Sequence, residues 1–239
     1  MTKTGSTHVT KIFADGADKK GMLEQYANSQ IKGFTTNPTL MRKAGISDYE
    51  GFARDIIACI PDRPISFEVF SDDFAEMYAQ AKKISSWGHN VNVKIPITNT
   101  KGESCVELVK RLAAEGVKLN VTALFTLAQV EAIAKALGNV DEGYVSVFAG
   151  RIADAGIDPL PTMRKAIEIL EGYSGQQLIW ASPREILNLV QANEIGCHVI
   201  TVTNDILSKI NGIGKNLDQF SLETVKMFYN DARSAGFSI

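Results

Sequence analysis

Cysteine and histidine are scarce in this sequence, and neither is arranged as a ligand set. The three cysteines are odd in number and far apart, which is typical of reduced thiols and unlike a disulfide framework. Apart from the adjacent pair Cys197-His198, the three histidines lack the spacing of metal sites. We therefore expect no disulfide, no metal and no other cofactor. The residues concerned are Cys59, Cys105, Cys197, His8, His89 and His198.

Long apolar runs and long basic runs are also absent. No apolar stretch is long enough to span a bilayer, and residues 1–10 lack the apolar segment of a secretory signal. Lysine and arginine are dispersed and the formal net charge is -2, which argues against a nucleic-acid-binding surface. These absences predict a cytoplasmic globular protein that binds neither membranes nor nucleic acids.

The chain does contain a regular alternation of short β-rich runs and amphipathic helical stretches. Eight strand–helix units in 239 residues fit a single α/β domain, a (β/α)8 TIM barrel spanning residues 1–239. A doubly wound open sheet is the alternative, but no glycine-rich dinucleotide loop follows the first strand. The predicted strands are 11–15, 33–37, 65–70, 90–96, 118–124, 144–150, 176–182 and 198–203.

Amphipathic helices are predicted between these strands. Examples are 72–87, 105–115 and 127–137. Capping residues predict helix starts at Ser71-Asp72, Asp158-Pro159 and Ser182-Pro183. A further amphipathic helix, at about 222–234, is surplus to the eight repeats. We expect this C-terminal segment, about 217–239, to pack on the barrel or on a neighbouring subunit.

A lysine lies in the middle of the fourth predicted strand. Val91, Val93 and Ile95 point to one side of that strand, whereas Asn92 and Lys94 point to the other. An amine opposite a wholly apolar face is costly to bury unless it stays neutral or finds a partner. A lysine on an isolated strand more often lies at an edge or extends to water. The same polar pattern recurs in other strands, however, and favours a buried site.

Polar side chains share one face near the C-terminal ends of several strands. Asp15 ends the first strand, and Glu68 lies beyond Ser66 in the third. Asn120 and Thr122 share a face in the fifth. Because barrel enzymes keep their active sites at the C-terminal mouth, we predict an active site there. The second strand adds Thr35 and Asn37, and the sixth adds Ser146 and Phe148.

One lysine and two carboxylates suggest covalent catalysis by an amine. A Schiff base between Lys94 and a ketose carbonyl would act as an electron sink and allow the C3–C4 bond to break. Asp15 and Glu68 can divide the proton transfers that imine chemistry and bond cleavage require. The neutral polar side chains around them are suited to sugar hydroxyls.

Two arginines follow the sixth and seventh strands. Arg151 and Arg184 carry the planar fork that matches phosphate, and Ser182-Pro183 is predicted to open a helix whose amides attract anions. Either arginine alone is equally consistent with a surface salt bridge. Because the arginines accompany the predicted site around Lys94, we favour a phosphate site. Barrels commonly place such a site after strands seven and eight.

Five segments in order resemble the transaldolase family, including its shorter branch that also contains fructose-6-phosphate aldolases. They are residues 33–40 (GFTTNPTL), 93–96 (VKIP), 120–122 (NVT), Gly150-Arg151 with Asp154, and Ala181-Ser182 with Arg184. The resemblance extends from the first strand through the C-terminal helix. It implies a (β/α)8 barrel that transfers dihydroxyacetone from a ketose phosphate, such as fructose 6-phosphate or sedoheptulose 7-phosphate, to an aldose phosphate.

The resemblance also implies roles for individual residues. Lys94 would be the Schiff-base lysine and Asp15 the acid/base at the cleaved bond. Glu68 and Thr122 would hold the catalytic water. The implied substrate-binding residues are Thr36, Asn37, Asn120, Ser146 and Phe148, together with Arg151, Ser182 and Arg184 for the phosphate.

Two positions favour transfer over free aldol cleavage. The aldolases usually carry Gln where this chain has Glu68, and Tyr where it has Phe148. Free aldol cleavage, transfer from another anionic ketose such as a sulfosugar, and a non-catalytic sugar-phosphate-binding barrel are the alternatives. Gly16 after Asp15, and a strand eight without its frequent proline, leave the donor and acceptor sugars open. The resemblance to ring-forming assemblies implies a homo-oligomer, a pentamer or decamer.

Overall fold

The computed structural model describes residues 9–238 and shows a closed barrel of eight parallel strands. The strands follow one another in chain order, and β1 closes the barrel by pairing with β8. This topology confirms the predicted (β/α)8 barrel and excludes the open sheet. The strands are β1 Lys11–Asp15, β2 Ile31–Thr35, β3 Ile65–Glu68, β4 Val91–Pro96, β5 Leu119–Leu124, β6 Gly143–Val147, β7 Gln176–Trp180 and β8 Val199–Thr203.

Helices occupy the connections between consecutive strands, as right-handed parallel crossovers require. They are α1 Lys19–Tyr26, α2 Pro38–Lys43, α3 Tyr49–Cys59, α4 Phe74–Ser85, α5 Val106–Ala114, α6 Leu127–Leu137, α7 Ala149–Asp154, α8 Leu160–Leu170, α9 Leu187–Glu194, α10 Asn204–Leu207 and α11 Leu217–Ser234, with a 3-10 turn at Ile210–Gly212. The bounds of α6 match the prediction because Thr126 and Gln129 form a capping box at its start. Within residues 9–238, no helix combines the length and apolarity needed to cross a membrane.

Two strands end earlier than predicted, each beside a side-chain hydrogen bond that the alternation pattern does not reveal. The second strand ends at Thr35, since Asn37 caps α2 by accepting from the amide of Leu40. The third ends at Glu68, whose amide and carbonyl both bond to the hydroxyl of Tyr49. The predicted strand ends at 37 and 70 are therefore wrong.

Two further boundaries differ near the predicted phosphate site. Residues 148–150 leave the sixth strand, and α7 begins at Ala149. Ser182-Pro183 does not open a helix, since α9 begins at Leu187. Ser182 instead has a positive φ of 58°, which places it in a tight turn after β7. The expected helix N-terminus at Ser182 is thus absent.

The barrel interior is apolar toward the N-terminal ends of the strands. Phe13 and Tyr144 pack edge to face there, with ring centroids 5.5 Å apart. Gly33 makes room for the Phe13 ring, because a Cβ at this position would lie 2.6 Å from it. Each aromatic lies two residues before a polar inner-face residue, Asp15 or Ser146. The polar groups consequently lie above an apolar floor.

The surplus helix α11 is longer than predicted and lies outside the core. All of its residues are exposed or half-buried. Its large apolar side chains are unusually open, with Leu217 79% and Phe228 63% exposed. The helix therefore contributes little to the core of its own barrel.

Candidate active site

A cavity of 520 Å³ opens at the C-terminal mouth of the barrel. It is lined by every residue predicted for the site except Thr36. The residues that the prediction and the cavity share are Lys94, Asp15, Glu68, Thr122, Asn37, Asn120, Ser146, Phe148, Arg151, Ser182 and Arg184. The alternating pattern of the strands thus places these side chains at one site.

Lys94 is buried, and its amine has two oxygen partners. The side chain is 9% exposed, its Nζ donates to the carbonyl of Thr36 at 2.9 Å, and it lies 3.4 Å from Oε2 of Glu68. Removing one member of a buried ion pair typically costs about 3–5 kcal/mol, because the other charge is left uncompensated. The costly amine predicted from the sequence is therefore satisfied by β2 and β3.

Thr36 supports the lysine through its backbone and is itself fully buried. Its hydroxyl donates to the carbonyl of Ser66 at 2.9 Å and does not line the cavity. The expectation that Thr36 contacts substrate therefore does not fit its position. Its main-chain carbonyl instead fixes the Lys94 amine.

Glu68 is held in place by Tyr49 at the start of α3. The tyrosine hydroxyl donates to the carbonyl of Glu68 and accepts from its amide, both at 2.8 Å. The parallel register of β3 and β4 also pairs Glu68 with Lys94. Glu68 is consequently fixed beside the amine of Lys94.

A polar ladder crosses three strands at the base of the cavity. Ser146 donates to Oδ1 of Asn120 at 2.7 Å, and the Asn120 amide donates to Oγ of Ser66 at 3.0 Å. The three residues are almost fully buried. This ladder fixes the orientation of the Asn120 amide toward the cavity.

The Thr122 hydroxyl is buried beside this ladder, and no described protein atom within residues 9–238 hydrogen-bonds it. Buried hydroxyls are generally satisfied. A group that enters the cavity is therefore the natural partner of this hydroxyl.

Asp15 lies at the end of β1 in the same cavity and accepts a hydrogen bond from Thr35 at 2.7 Å. Burial raises the pKa of Asp15, whereas the charge of Lys94 and the Thr35 bond oppose that rise. A carboxyl whose pKa is raised exchanges protons closer to neutral pH. Asp15 is thus suited to accept and return a proton.

The two predicted arginines lie on one side of the cavity. Arg184 pairs with Asp154, with Nε 2.9 Å from Oδ1, and donates to Oγ of Ser182 at 2.9 Å. This ion pair lowers the pKa of Asp154. The guanidinium of Arg151 lies 5.4 Å from the Phe148 ring centroid. Arg151 and Arg184 together form a positively charged wall of the cavity, in which Arg184 is paired with the Asp154 carboxylate.

A glycine allows this wall to form. A Cβ at Gly150 would lie 1.6 Å from the carbonyl of Ser182, so only glycine permits α7 to approach the turn after β7. That approach brings the start of α7, with Arg151, to the turn that contains Ser182.

The cavity is also lined by residues outside the predicted site, among them Lys43, Ala123 and Thr201. Ala123 has a positive φ of 62° at a register shift in β5, so it faces the cavity although strict alternation would turn it away. Thr201 faces the cavity by the ordinary alternation of β8, so the sequence pattern could have identified it. Lys43 lies one helical turn after Thr39, so both face the cavity from α2. Predicting this would have required the correct start of α2, at Pro38.

These features define an enzyme of the class of barrels that bring an amine and carboxylates together at the C-terminal mouth. The chain belongs to the transaldolase/fructose-6-phosphate aldolase family, whose model matches residues 12–239. It is 36% identical over 201 residues to a probable transaldolase of Dehalococcoides mccartyi, covering 84% of this chain and 89% of that protein. It is 34% identical over 230 residues to a probable transaldolase of a Thermoanaerobacter species, covering 96% and 100%.

Solved structures support the fold. A 2,3-dimethylmalate lyase aligns with a TM-score of 0.59 at 12% identity, covering 97% of this chain and 85% of that one. A putative phosphonomutase from Burkholderia cenocepacia aligns with a TM-score of 0.56 at 12% identity, covering 95% and 93%. At this identity they show the barrel architecture alone.

The raised pKa of Asp15 predicts a stability change. The native state binds the Asp15 proton more tightly than the unfolded chain does. The contribution of Asp15 to the free energy of unfolding is therefore fully present below its unfolded pKa of 3.8, and it is lost as pH rises through its native pKa. Asp15→Asn should therefore raise the free energy of unfolding near neutral pH, and the gain should shrink in acid. Urea denaturation over a pH series measures this.

Glu131→Gln is the matched control, because Glu131 is exposed on α6. It should change stability little at any pH. A gain that is equal in both variants, or no gain for Asp15→Asn, would contradict the account of Asp15.

Proposed function

We propose that this protein is a transaldolase that transfers a dihydroxyacetone unit from a ketose phosphate to an aldose phosphate through a Schiff base on Lys94. The observation that carries the proposal is the buried contact of Lys94 with Glu68, in the same cavity as Asp15 and the arginine pair. Family membership and relatives named probable transaldolase support it.

The first half-reaction begins at Lys94. Its unprotonated amine attacks the C2 carbonyl of the donor, and the carbinolamine then loses its hydroxyl as water to give an iminium ion. Glu68 would supply and remove protons in these steps, and its distance of 3.4 Å from Nζ supports this role. The unpartnered Thr122 hydroxyl would orient the water that leaves and later returns.

Bond cleavage follows at Asp15. Its carboxylate takes the proton of the C4 hydroxyl, the C3–C4 electron pair moves toward the iminium, and an aldose leaves as the enamine forms. In the second half-reaction, C3 of the enamine attacks the acceptor aldehyde and Asp15 returns the proton to the new hydroxyl. Hydrolysis of the iminium frees Lys94.

The remaining polar groups would bind the sugar. Asn120 and Ser146 are oriented toward the dihydroxyacetone hydroxyls by their buried ladder. Asn37 uses its carbonyl to cap α2, which leaves its amide nitrogen for a hydroxyl. Arg151, Ser182 and Arg184 would hold the phosphate at the far end of the donor.

An aromatic rim supports transfer over free cleavage. Phe125 and Phe148 lie at the mouth with ring centroids 5.9 Å apart. Neither ring can donate a proton to the enamine, and Phe148, which lines the cavity, would limit the access of water. Such a rim would protect the bound three-carbon fragment until the acceptor arrives.

A donor and acceptor panel tests the function. With fructose 6-phosphate as donor, product formation should be much faster with an aldose phosphate acceptor than without one, because water does not discharge the enamine. Equal rates would identify a free aldolase, and binding without turnover would identify a non-catalytic barrel. Faster turnover of a sulfosugar would show that the donor carries a sulfonate in place of a phosphate.

The same panel tests the arginine wall. Arg184→Gln should raise KM for a phosphorylated ketose by about ten- to hundredfold, because hydrogen bonds to a charged group are lost, and should change KM for unphosphorylated fructose little. Arg164→Gln, on the exposed surface of α8, is the control. Equal effects on both donors would contradict phosphate binding by Arg184.

The same proposal includes a cytoplasmic, single-domain homo-oligomer, with α11 packed on a neighbouring subunit. Helical spacing places Leu217, Phe220, Val225 and Phe228 on one face of α11, and all four side chains are exposed. Asn230 lies on the opposite, polar face. An apolar face of this kind is typical of subunit contacts, and it supports a homo-oligomer. The family resemblance implies five or ten subunits.

Phe228→Glu should therefore reduce the sedimentation coefficient toward that of the single chain, because a charge would be buried in the contact. Ending the chain at Asn216 should do the same. Asn230→Glu, on the polar face, should leave sedimentation unchanged. Identical profiles for the Phe228 and Asn230 variants would contradict the proposed contact.

A further inference from the structure

Hydroxyl groups from the strands on both sides of β1 form a hydrogen-bonded chain that ends at Asp15. β1 pairs with β2 on one side and with β8 on the other. Thr35 of β2 donates to Oδ1 of Asp15 at 2.7 Å. The same Thr35 oxygen hydrogen-bonds the hydroxyl of Thr201 on β8, and both threonines are buried. The three side chains form a chain from Thr201 through Thr35 to Asp15.

This chain has a direction. A threonine hydroxyl carries one hydrogen and can accept at its lone pairs. While Asp15 is ionised, Thr35 uses its hydrogen on the carboxylate. In that state Thr35 accepts in its contact with Thr201, and Thr201 donates. Hydrogen bonds in series polarise one another, so Thr201 strengthens the bond that Thr35 makes to the carboxylate. Oδ1 is held by this chain, which leaves Oδ2 for the substrate hydroxyl.

We propose that Thr201 is a positioning residue for the reaction, which acts through Thr35 to hold the Asp15 carboxylate in the orientation that receives the C4 proton. The proposal rests on the proposed role of Asp15. Thr201 touches no reacting atom in this account. Its effect is therefore on the bond-cleavage step, whereas Schiff-base formation at Lys94 should be unaffected.

The charges around Asp15 make this support necessary. Burial favours the neutral acid and raises the pKa of Asp15, and the charge of Glu68 acts in the same direction. Lys94 and the Thr35 bond oppose them. Loss of the Thr201 hydroxyl weakens one of these two opposing contributions. The charged groups that line the active-site cavity and the adjoining cavity beside β1 are Lys94, Glu68, Lys43, Arg151, Arg184, Asp18 and Asp205.

Thr201→Val and Thr201→Ser provide the test in the full-length enzyme. The valine should lower kcat for fructose 6-phosphate by about tenfold, the cost of one buried hydrogen bond, with little change in KM. Because cleavage needs the carboxylate, a raised pKa should move the acidic limb of the kcat profile to higher pH. Serine should restore both, and borohydride trapping of the Schiff base should remain at wild-type level in each variant.

Thr203→Val is the matched control on the same strand, since its hydroxyl bonds to Asp205 and does not reach Thr35. It should not shift the limb. If Thr201→Val does not fold, Thr35→Val cuts the same chain nearer to Asp15 and must shift the limb at least as far. An unshifted limb in the folded variant would overturn the inference. Wild-type kcat in Asp15→Asn would instead refute the proposed role of Asp15 itself.

Discussion

The buried amine of Lys94 is the constraint on which the rest of the site depends. An ammonium group at this depth must be given oxygen partners or lose its charge, and the protein supplies the carboxylate of Glu68 and the carbonyl of Thr36. Both partners need their own support, which comes from Tyr49 and Ser66. Four elements, β2, β3, β4 and α3, are thus tied to one nitrogen atom. The reactive group and the fold are stabilised by the same contacts.

Apolar and polar side chains occupy different levels along the axis of the barrel interior. Phe13 and Tyr144 fill the interior at one level, and Asp15 and Ser146 begin the polar cavity at the next. Placing an acid at this boundary destabilises its charged form, as the raised pKa of Asp15 shows. A proton acceptor that gains a proton readily is what reversible cleavage of a carbon–carbon bond requires. Under the proposed mechanism, the stability lost at Asp15 provides this proton acceptor.

The fold and most of the site follow from the sequence because strand alternation has a fixed period of two. That period placed Lys94, Glu68 and Asn120 on a common inner face, and barrel closure then brought them together. Features that depend on local backbone exceptions were not predictable in this way. Ala123 faces the cavity through a positive φ, and Ser182 lies in a turn where a helix start was expected. Thr36 had the right position in the chain but the opposite side-chain direction.

Borohydride reduction shows whether Lys94 forms the proposed Schiff base with the donor. Incubation with fructose 6-phosphate and borohydride, followed by peptide mass analysis, should show a reduced three- or six-carbon adduct on the peptide that contains Lys94. Lys94→Arg should show none and should not turn over. Turnover by the wild-type enzyme with no adduct on Lys94, or an adduct on another lysine, would contradict the account.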